Sequence, residues 1–152
     1  MSVFFDTNVL FYLFDAAAPD KRARARALYE EHTADGELVI STQVLIELYA
    51  SLTRKARRDP DQVLEVVSLL AQERVMPADA AFVERALHLS REHQLSPWDG
   101  LIVQAAIDAD CSMLFSEDMH AGLRIGSLTI VNPFATAAHE PAPPPSKRRA
   151  RR

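Results

Sequence analysis

The stretch Val3-Phe4-Phe5-Asp6-Thr7-Asn8 joins a short apolar run to an acid and two small polar residues. Residues 2–5 suit a short buried strand, and Thr7 to Phe14 has the character of a short helix. Asp6 therefore lies just past the carboxyl end of a predicted strand, where open α/β sheets bind their ligands. A carboxylate beside core-type residues is costly unless it is capped, paired or bound to a metal.

The rest of the chain alternates short apolar runs with longer amphipathic segments. Further strands are predicted at 37–40, 75–77, 113–115 and 128–131, and further helices at 19–33, 41–57, 60–74, 78–93 and 96–110. This alternation predicts an α/β fold with a mostly parallel sheet that is covered by helices.

Composition limits the class of protein. A chain of 152 residues with 48% hydrophobic and 25% charged residues is long enough for one domain with a sizeable core. No apolar run reaches the roughly 18 residues of a membrane-spanning helix. The first residues lack the basic segment of a signal peptide. Cys111 is the single cysteine, so no internal disulfide forms, and we expect a cytoplasmic protein.

Charge is spread unevenly along the chain. The net charge is −4, but residues 147–152 carry five cations, which leaves 12 basic and 21 acidic residues and a net charge of −9 in 1–146. Residues 135–152 are rich in Pro and basic residues, and we expect a disordered tail after a domain at 1–134. The acidic domain does not exclude a nucleic-acid substrate, because bound metal ions invert the sign of a site.

Three later stretches also place an acid beside core-type residues. They are Val44-Leu45-Ile46-Glu47-Leu48, Ser96-Pro97-Trp98-Asp99-Gly100-Leu101-Ile102 and Leu114-Phe115-Ser116-Glu117-Asp118. If the fold brings these acids together with Asp6, they form an oxygen-lined pocket for hard divalent cations. Metal-dependent phosphodiester hydrolysis uses such a pocket. The candidate set is Asp6, Glu47, Asp99 and Asp118.

Three of the four acids also have a simple structural interpretation. Asp6 can be a helix N-cap, Asp99 can belong to a Ser-x-x-Asp capping box with Ser96, and Asp118 can be a turn residue. Glu117 is the less suitable ligand of the pair at 117–118.

Glu47 lies in mid-helix and caps nothing. Its predicted stripe begins at Gln43 and continues through Ser51 to Arg54 and Arg58, so the structural alternative is a surface Glu near Arg54. On the functional interpretation, Arg54 and Arg58 lie about 10 and 16 Å along the helix from Glu47. At that distance they are candidates to contact phosphates that flank the cleaved one.

Five segments in this order resemble the PIN-domain ribonucleases, and among them the VapC toxins of bacterial type II toxin–antitoxin pairs. Together they span residues 2–134, and five segments at suitable spacing are far more specific than one. The segments are Phe-Asp-Thr-Asn-Val-Leu at 5–10, Ser-Thr-Gln-Val-Leu-Ile-Glu-Leu at 41–48, Trp-Asp-Gly-Leu-Ile-Val-Gln-Ala-Ala at 98–106, Leu-Phe-Ser-Glu-Asp-Met at 114–119 and Val-Asn-Pro-Phe at 131–134.

The resemblance implies a PIN-like three-layer fold with a five-stranded parallel sheet between helices. It implies that the acidic quartet holds Mg²⁺ or Mn²⁺, with Asp6, Asp99 and Asp118 as ligands and Glu47 as a ligand or a residue that positions water. Supporting hydroxyl and amide groups are Thr7, Asn8 and Ser116. It also implies an RNA substrate, a cognate antitoxin and a homodimer. Gly100 departs from the family, where Ala is commoner, and weakens the predicted helix start.

The sequence thus predicts a metal-dependent endoribonuclease, with two alternatives. An aspartyl-phosphate enzyme needs a lysine near the phosphoryl group, but Lys21, Lys55 and Lys147 all lie away from predicted strand ends. A PIN-like module that binds RNA or protein without cutting is the non-enzymatic alternative, and the complete quartet argues against it.

Overall fold

The computed structural model describes residues 1–135, in which helices and strands alternate. The strands are β1 (Val3–Phe5), β2 (Leu38–Ser41), β3 (Arg74–Met76), β4 (Met113–Phe115), β5 (Arg124–Ile125) and β6 (Leu128–Val131). The helices are α1 (Thr7–Tyr12), α2 (Pro19–Ala34), α3 (Thr42–Arg54), α4 (Pro60–Leu70), α5 (Ala80–Glu92) and α6 (Pro97–Asp108). The predicted tail at 135–152 lies outside the described residues except for Ala135.

One mixed sheet of six strands has the order β3-β2-β1-β4-β6-β5. All neighbouring pairs are parallel except β5 and β6, which are antiparallel. Phe4 at the centre pairs with Val39 of β2 and Leu114 of β4. The predicted α/β fold with a mostly parallel sheet is confirmed, but the predicted number of five strands was one too few.

The missed strand, β5, is only two residues long and is joined to β6 by Gly126 and Ser127. Gly126 has φ +59°, a left-handed conformation that glycine adopts without strain. A two-residue loop of this kind between short apolar segments is a hairpin signal. The sequence therefore contained the information, although a strand of two residues is shorter than the pattern that identifies strands.

The centre of the sheet is buried on both faces, as a covered parallel sheet requires. All residues of β1 and β2 are buried, and Phe4, Phe5 and Ile40 have no exposed surface. These strands consequently have continuous apolar sequences without alternation.

Side-chain oxygens begin most of the helices where the sequence indicated caps. Ser41, Asp59 and Ser96 accept hydrogen bonds from backbone N–H groups of α3, α4 and α6. The predicted end of α4 near Arg74 was wrong: the helix ends at Leu70, because Arg74 already pairs with Val39 in the sheet.

The topology brings the ends of three segments to one edge of the sheet. β1 and β4 are parallel neighbours, and Asp6 N donates to Phe115 O at 3.0 Å just beyond both strands. Ser41, the last residue of β2, is also the N-cap of α3. Side chains that follow β1 and β4, and those in the first turns of α3, therefore lie close together. Within 1–135, no helix has the length and apolarity needed to cross a membrane.

Helices α5 and α6 approach each other closely at Gly100. A Cβ atom on Gly100 would lie 2.7 Å from Ser90 Cβ and 2.8 Å from the carbonyl oxygen of Ala86. Neither atom can rotate away, because one is a Cβ and the other is helix backbone. Glycine at this position thus permits the contact between the two helices, and its effect on helix propensity is secondary.

Gly100→Ala is therefore expected to destabilise the protein. Overpacking costs about 1–3 kcal/mol and the gain in helix propensity offsets about 1 kcal/mol, so we expect a net loss of up to about 2 kcal/mol in the free energy of unfolding. Urea denaturation measures this change. A double variant that adds Ser90→Gly should lose less than the sum of the two single losses. A Gly100→Ala variant that is more stable than the wild type would show that α5 and α6 can move apart without a loss of stability.

Candidate active site

Asp6 follows β1 and is the N-cap of α1. Its carboxylate accepts hydrogen bonds from Thr7 N at 2.8 Å and from Ser116 Oγ at 2.8 Å, and only 7% of the residue is exposed. One carboxylate oxygen of Asp6, Oδ1, thus caps the helix as the structural interpretation predicted. The second oxygen joins β1 to the loop after β4, which a cap alone does not do.

Burial raises the pKa of Asp6 to about 6, against the lowering effect of the hydrogen bonds from Ser116 and Thr7. The negative charges of Glu47 and Asp99 raise the pKa further. The carboxylates of three separate segments therefore interact electrostatically at this edge of the sheet.

Glu47 lies in the second turn of α3 and points toward α1. Its Oε2 accepts a hydrogen bond from Thr7 Oγ1 at 2.8 Å, and its Oε1 accepts one from Gln43 Nε2 at 2.6 Å. No salt bridge to Arg54 forms within residues 1–135. The structural alternative of a surface glutamate near Arg54 does not describe this residue.

Asp99 lies in the first turn of α6 and is half-buried. Its backbone N–H donates to Ser96 Oγ at 3.1 Å, which is the hydroxyl half of the predicted capping box. Burial raises the pKa of the Asp99 carboxyl, the Ser96 hydroxyl opposes this, and the charges of Asp118 and Glu47 raise it further. The backbone of Asp99 thus serves the cap while its carboxylate interacts with the other acids.

Asn8 fixes the loop that carries Asp118. Its Nδ2 donates to Asp118 Oδ2 at 3.1 Å and to Ser116 Oγ at 3.5 Å, and its Oδ1 accepts from Glu117 N at 3.1 Å. All three predicted supporting residues, Thr7, Asn8 and Ser116, contact an acid of the quartet.

Glu117 is held away from the other acids. Its carboxylate pairs with Lys21 Nζ at 2.9 Å and accepts a hydrogen bond from Tyr12 OH at 2.8 Å. Asp118, the next residue, is exposed and lines the same cavity as Asp6. The contacts of Lys21 and Tyr12 explain why the second acid of this pair is the one that reaches the cavity.

A single cavity of about 480 Å³ is lined by all four acids of the quartet. Thr7 and Asn8 also line it, as do Gln43 and Ser51 of the predicted stripe. Tyr12, Lys55 and Trp98 line it too, and the sequence did not single them out for the site.

Arg54 and Arg58, the predicted phosphate contacts, do not line this cavity. The guanidinium of Arg58 donates to Phe14 O at 2.6 Å and lies over the Phe14 ring, beside a separate cavity. The α3 stripe on the cavity runs at intervals of four, from Glu47 through Ser51 to Lys55. The predicted stripe continued from Ser51 to Arg54, three residues on, whereas the residue that lines the cavity is Lys55, four residues on.

The donor set fits a hard divalent cation. The acids supply only oxygen atoms, and Gln43 Oε1 is buried and accepts no hydrogen bond within residues 1–135. Mutual repulsion of the acids also favours a bound cation. In the described part of the chain, no three His, Cys, Asp or Glu side chains converge as a ready metal site. The fit rests on donor chemistry and on the shared cavity.

Comparisons with known proteins agree with this fold. The family model of the PIN domain matches residues 3–121. A toxin–antitoxin complex from Klebsiella pneumoniae has a similar fold, with a TM-score of 0.66, 20% identity, and coverage of 89% of this chain and 100% of that chain. VapC20 of Mycobacterium tuberculosis, described as a toxin that cleaves the sarcin–ricin loop, has a TM-score of 0.61 at 21% identity, covering 77% and 92%. A DNA-bound VapBC from Salmonella typhimurium has a TM-score of 0.60 at 19% identity, covering 86% and 96%. No curated protein matches the chain significantly.

Proposed function

The chain belongs to the PIN-domain family, and on that premise we propose that it is a metal-dependent endoribonuclease, the toxin of a toxin–antitoxin pair. The observation that carries the proposal is the single cavity lined by Asp6, Glu47, Asp99 and Asp118. The toxin role is supported by the fold shared with a toxin–antitoxin complex and with a toxin that cleaves the sarcin–ricin loop.

Asp6, Asp99 and Asp118 would hold Mg²⁺ or Mn²⁺ in this cavity, and Glu47 would either ligate it or position water. When bound, such an ion lowers the pKa of water and stabilises charge on phosphoryl oxygens. Asp6, Asp99 and Asp118 come from different segments, so the folded chain is needed to assemble the ligand set.

The other residues keep these carboxylates oriented. Thr7 links two of them, because its N–H donates to Asp6 and its hydroxyl donates to Glu47. Each oxygen of an ionised carboxylate has two lone pairs, and one hydrogen bond from Thr7 or Gln43 leaves one on each oxygen of Glu47. Glu47 can therefore orient a water molecule while its own side chain stays fixed. The hydrogen bond from Asn8 orients Asp118 in the same way.

The proposed partners are an RNA substrate, a cognate antitoxin and a second copy of the chain. Large exposed apolar side chains support protein partners. Ile46 and Trp98, exposed by 70% and 68%, line an apolar cavity next to the acidic one, and Leu69 of α4 is exposed by 66%.

A cleavage assay tests the proposed function. Purified protein incubated with mixed single-stranded and structured RNA should cut it in Mn²⁺ or Mg²⁺ and should stop in EDTA. Glu47→Gln keeps the size of the side chain but not its charge, and serves as the inactive control. RNA binding without cleavage in both metals would favour the non-catalytic alternative, and cleavage of DNA alone would contradict the substrate assignment.

A further inference from the structure

Lys55 is the one cation among the described residues that line the acidic cavity. It is the C-cap of α3, and its backbone N–H donates to Ser51 O at 2.9 Å. Glu47, Ser51 and Lys55 follow one another at intervals of four residues, so they form one stripe along the helix. The stripe thus carries an acid at one end of the cavity and an ammonium group at the other.

The ammonium group of Lys55 is not neutralised by an acid. Within residues 1–135, no carboxylate lies within 4.0 Å of it, whereas Lys21 pairs with Glu117 at 2.9 Å and Arg85 pairs with Asp108 at 2.9 Å. Eight residues of helix separate Lys55 from Glu47, a distance of about 12 Å along the axis. Lys55 therefore lines the cavity about two helical turns from Glu47, a separation that favours contact with a phosphate beside the cleaved one.

We propose that Lys55 binds a phosphate that flanks the cleaved one and so sets the register of the RNA strand in the cavity. This inference rests on the proposed nuclease function and names a contact of that same site. A lysine binds phosphate as a point charge, so the contact does not require a fixed orientation of the RNA phosphate group. The Ser51 hydroxyl, one turn before Lys55, adds a neutral donor on the same face of the helix.

The contact with phosphate must be distinguished from a role in the helix. A cation in the last turn also stabilises the carbonyl end of α3. Arg54 lies in the same turn, carries the same charge and does not line the cavity. Arg54→Met thus matches Lys55→Met in charge and in helix position, and differs from it in access to the cavity.

The experiment measures kcat and KM for an oligoribonucleotide that the wild type cleaves. Lys55→Met should raise KM about tenfold, as expected for loss of one charged hydrogen bond, and leave kcat nearly unchanged. The slope of log KM against log salt should fall by about 0.7, the value for one phosphate of a single strand. Lys55→Arg should restore both KM and the salt slope to their wild-type values. Arg54→Met should change KM by less than about twofold.

Oligonucleotides with one uncharged methylphosphonate linkage locate the phosphate. At a single position flanking the cut, the neutral linkage should raise KM for the wild type and have no further effect on Lys55→Met. Equal increases in KM for Lys55→Met and Arg54→Met would overturn the inference. It would also be overturned if Lys55→Met responded to the neutral linkage at every position as strongly as the wild type does.

Binding separates this inference from the proposed function. The affinity of each variant for a labelled single-stranded oligouridylate in Ca²⁺ is measured by fluorescence anisotropy. A wild type that binds but does not cut any RNA contradicts the nuclease proposal, while a weaker Lys55→Met beside an unaffected Arg54→Met still supports the phosphate contact. A wild type that neither binds nor cuts RNA overturns both.

Discussion

Asp6→Asn is expected to abolish RNA cleavage while the protein stays folded. Asparagine has the shape of aspartate and can still accept the hydrogen bond from Thr7 N, but it has no charge to offer a divalent cation. The rate should fall by more than the roughly 10- to 100-fold that loss of an outer-shell metal partner costs. Initial rates in Mn²⁺ measure the loss, and far-UV circular dichroism reports the fold.

The same substitution should stabilise the metal-free protein at pH 7.5. The pKa of Asp6 is raised from 3.8 to about 6 in the folded protein, so the native state binds the proton more tightly than the unfolded state. Stability is then greatest at low pH and declines as the pH rises from about 4 through about 6. A shift of this size corresponds to about 3 kcal/mol at neutral pH, as an order of magnitude. An asparagine side chain does not titrate, so the part of this decline that is due to Asp6 should disappear when the variant is measured in EDTA, while the part due to Asp99 remains.

Asp59→Asn is the matched control, because Asp59 also caps a helix but does not line the acidic cavity. Aspartate and asparagine are similar N-caps, so this variant should keep its activity and its pH profile of stability. An Asp6→Asn variant that retains a large part of the activity would contradict the assignment. An Asp6→Asn variant that is no more stable than the wild type at pH 7.5 in EDTA would show that Asp6 acts only as a cap, because asparagine caps a helix about as well as aspartate.

The convergence of the acids was predictable because it depends on topology. Asp6 and Asp118 follow strands of a parallel sheet, and the ends of neighbouring parallel strands meet at one edge. Glu47 was identified because an acid in mid-helix beside core residues has no capping role. Thr7, Asn8 and Ser116 were predicted to support the acids, but the hydrogen bond of 2.6 Å from Gln43 to Glu47 required the structure, because spacing alone does not fix a side-chain contact.

The errors arose where packing decides between similar patterns. Stripes at intervals of three and four are both compatible with a helix face, so the sequence could not choose between Arg54 and Lys55. The structure separates them by contact with the cavity. For Gly100, helix propensity was a misleading guide, because the decisive neighbours, Ser90 and Ala86, belong to another helix.

Asp99→Asn distinguishes a metal ligand from a helix cap. In the folded protein burial raises the pKa of Asp99, and the charges of Asp118 and Glu47 raise it further, so at pH 7.5 in EDTA the ionised carboxylate destabilises the native state. The variant should therefore melt at a higher temperature than the wild type without metal. A cation at 100 times its dissociation constant stabilises the wild type by about 2.7 kcal/mol, and this gain should shrink in the variant.

The matched control for Asp99→Asn is Ser96→Ala, which removes the hydroxyl that caps α6 and leaves the carboxylate. It should lose about 1 kcal/mol of stability and keep the full response to Mn²⁺. If Asp99 acted only through the capping box, Asp99→Asn would resemble this control, with a small loss of stability and an unchanged response. Thermal melts of the three proteins in EDTA and in Mn²⁺ separate the two roles. An unchanged response in Asp99→Asn would remove Asp99 from the ligand set, because the affinity for the cation would not depend on its charge.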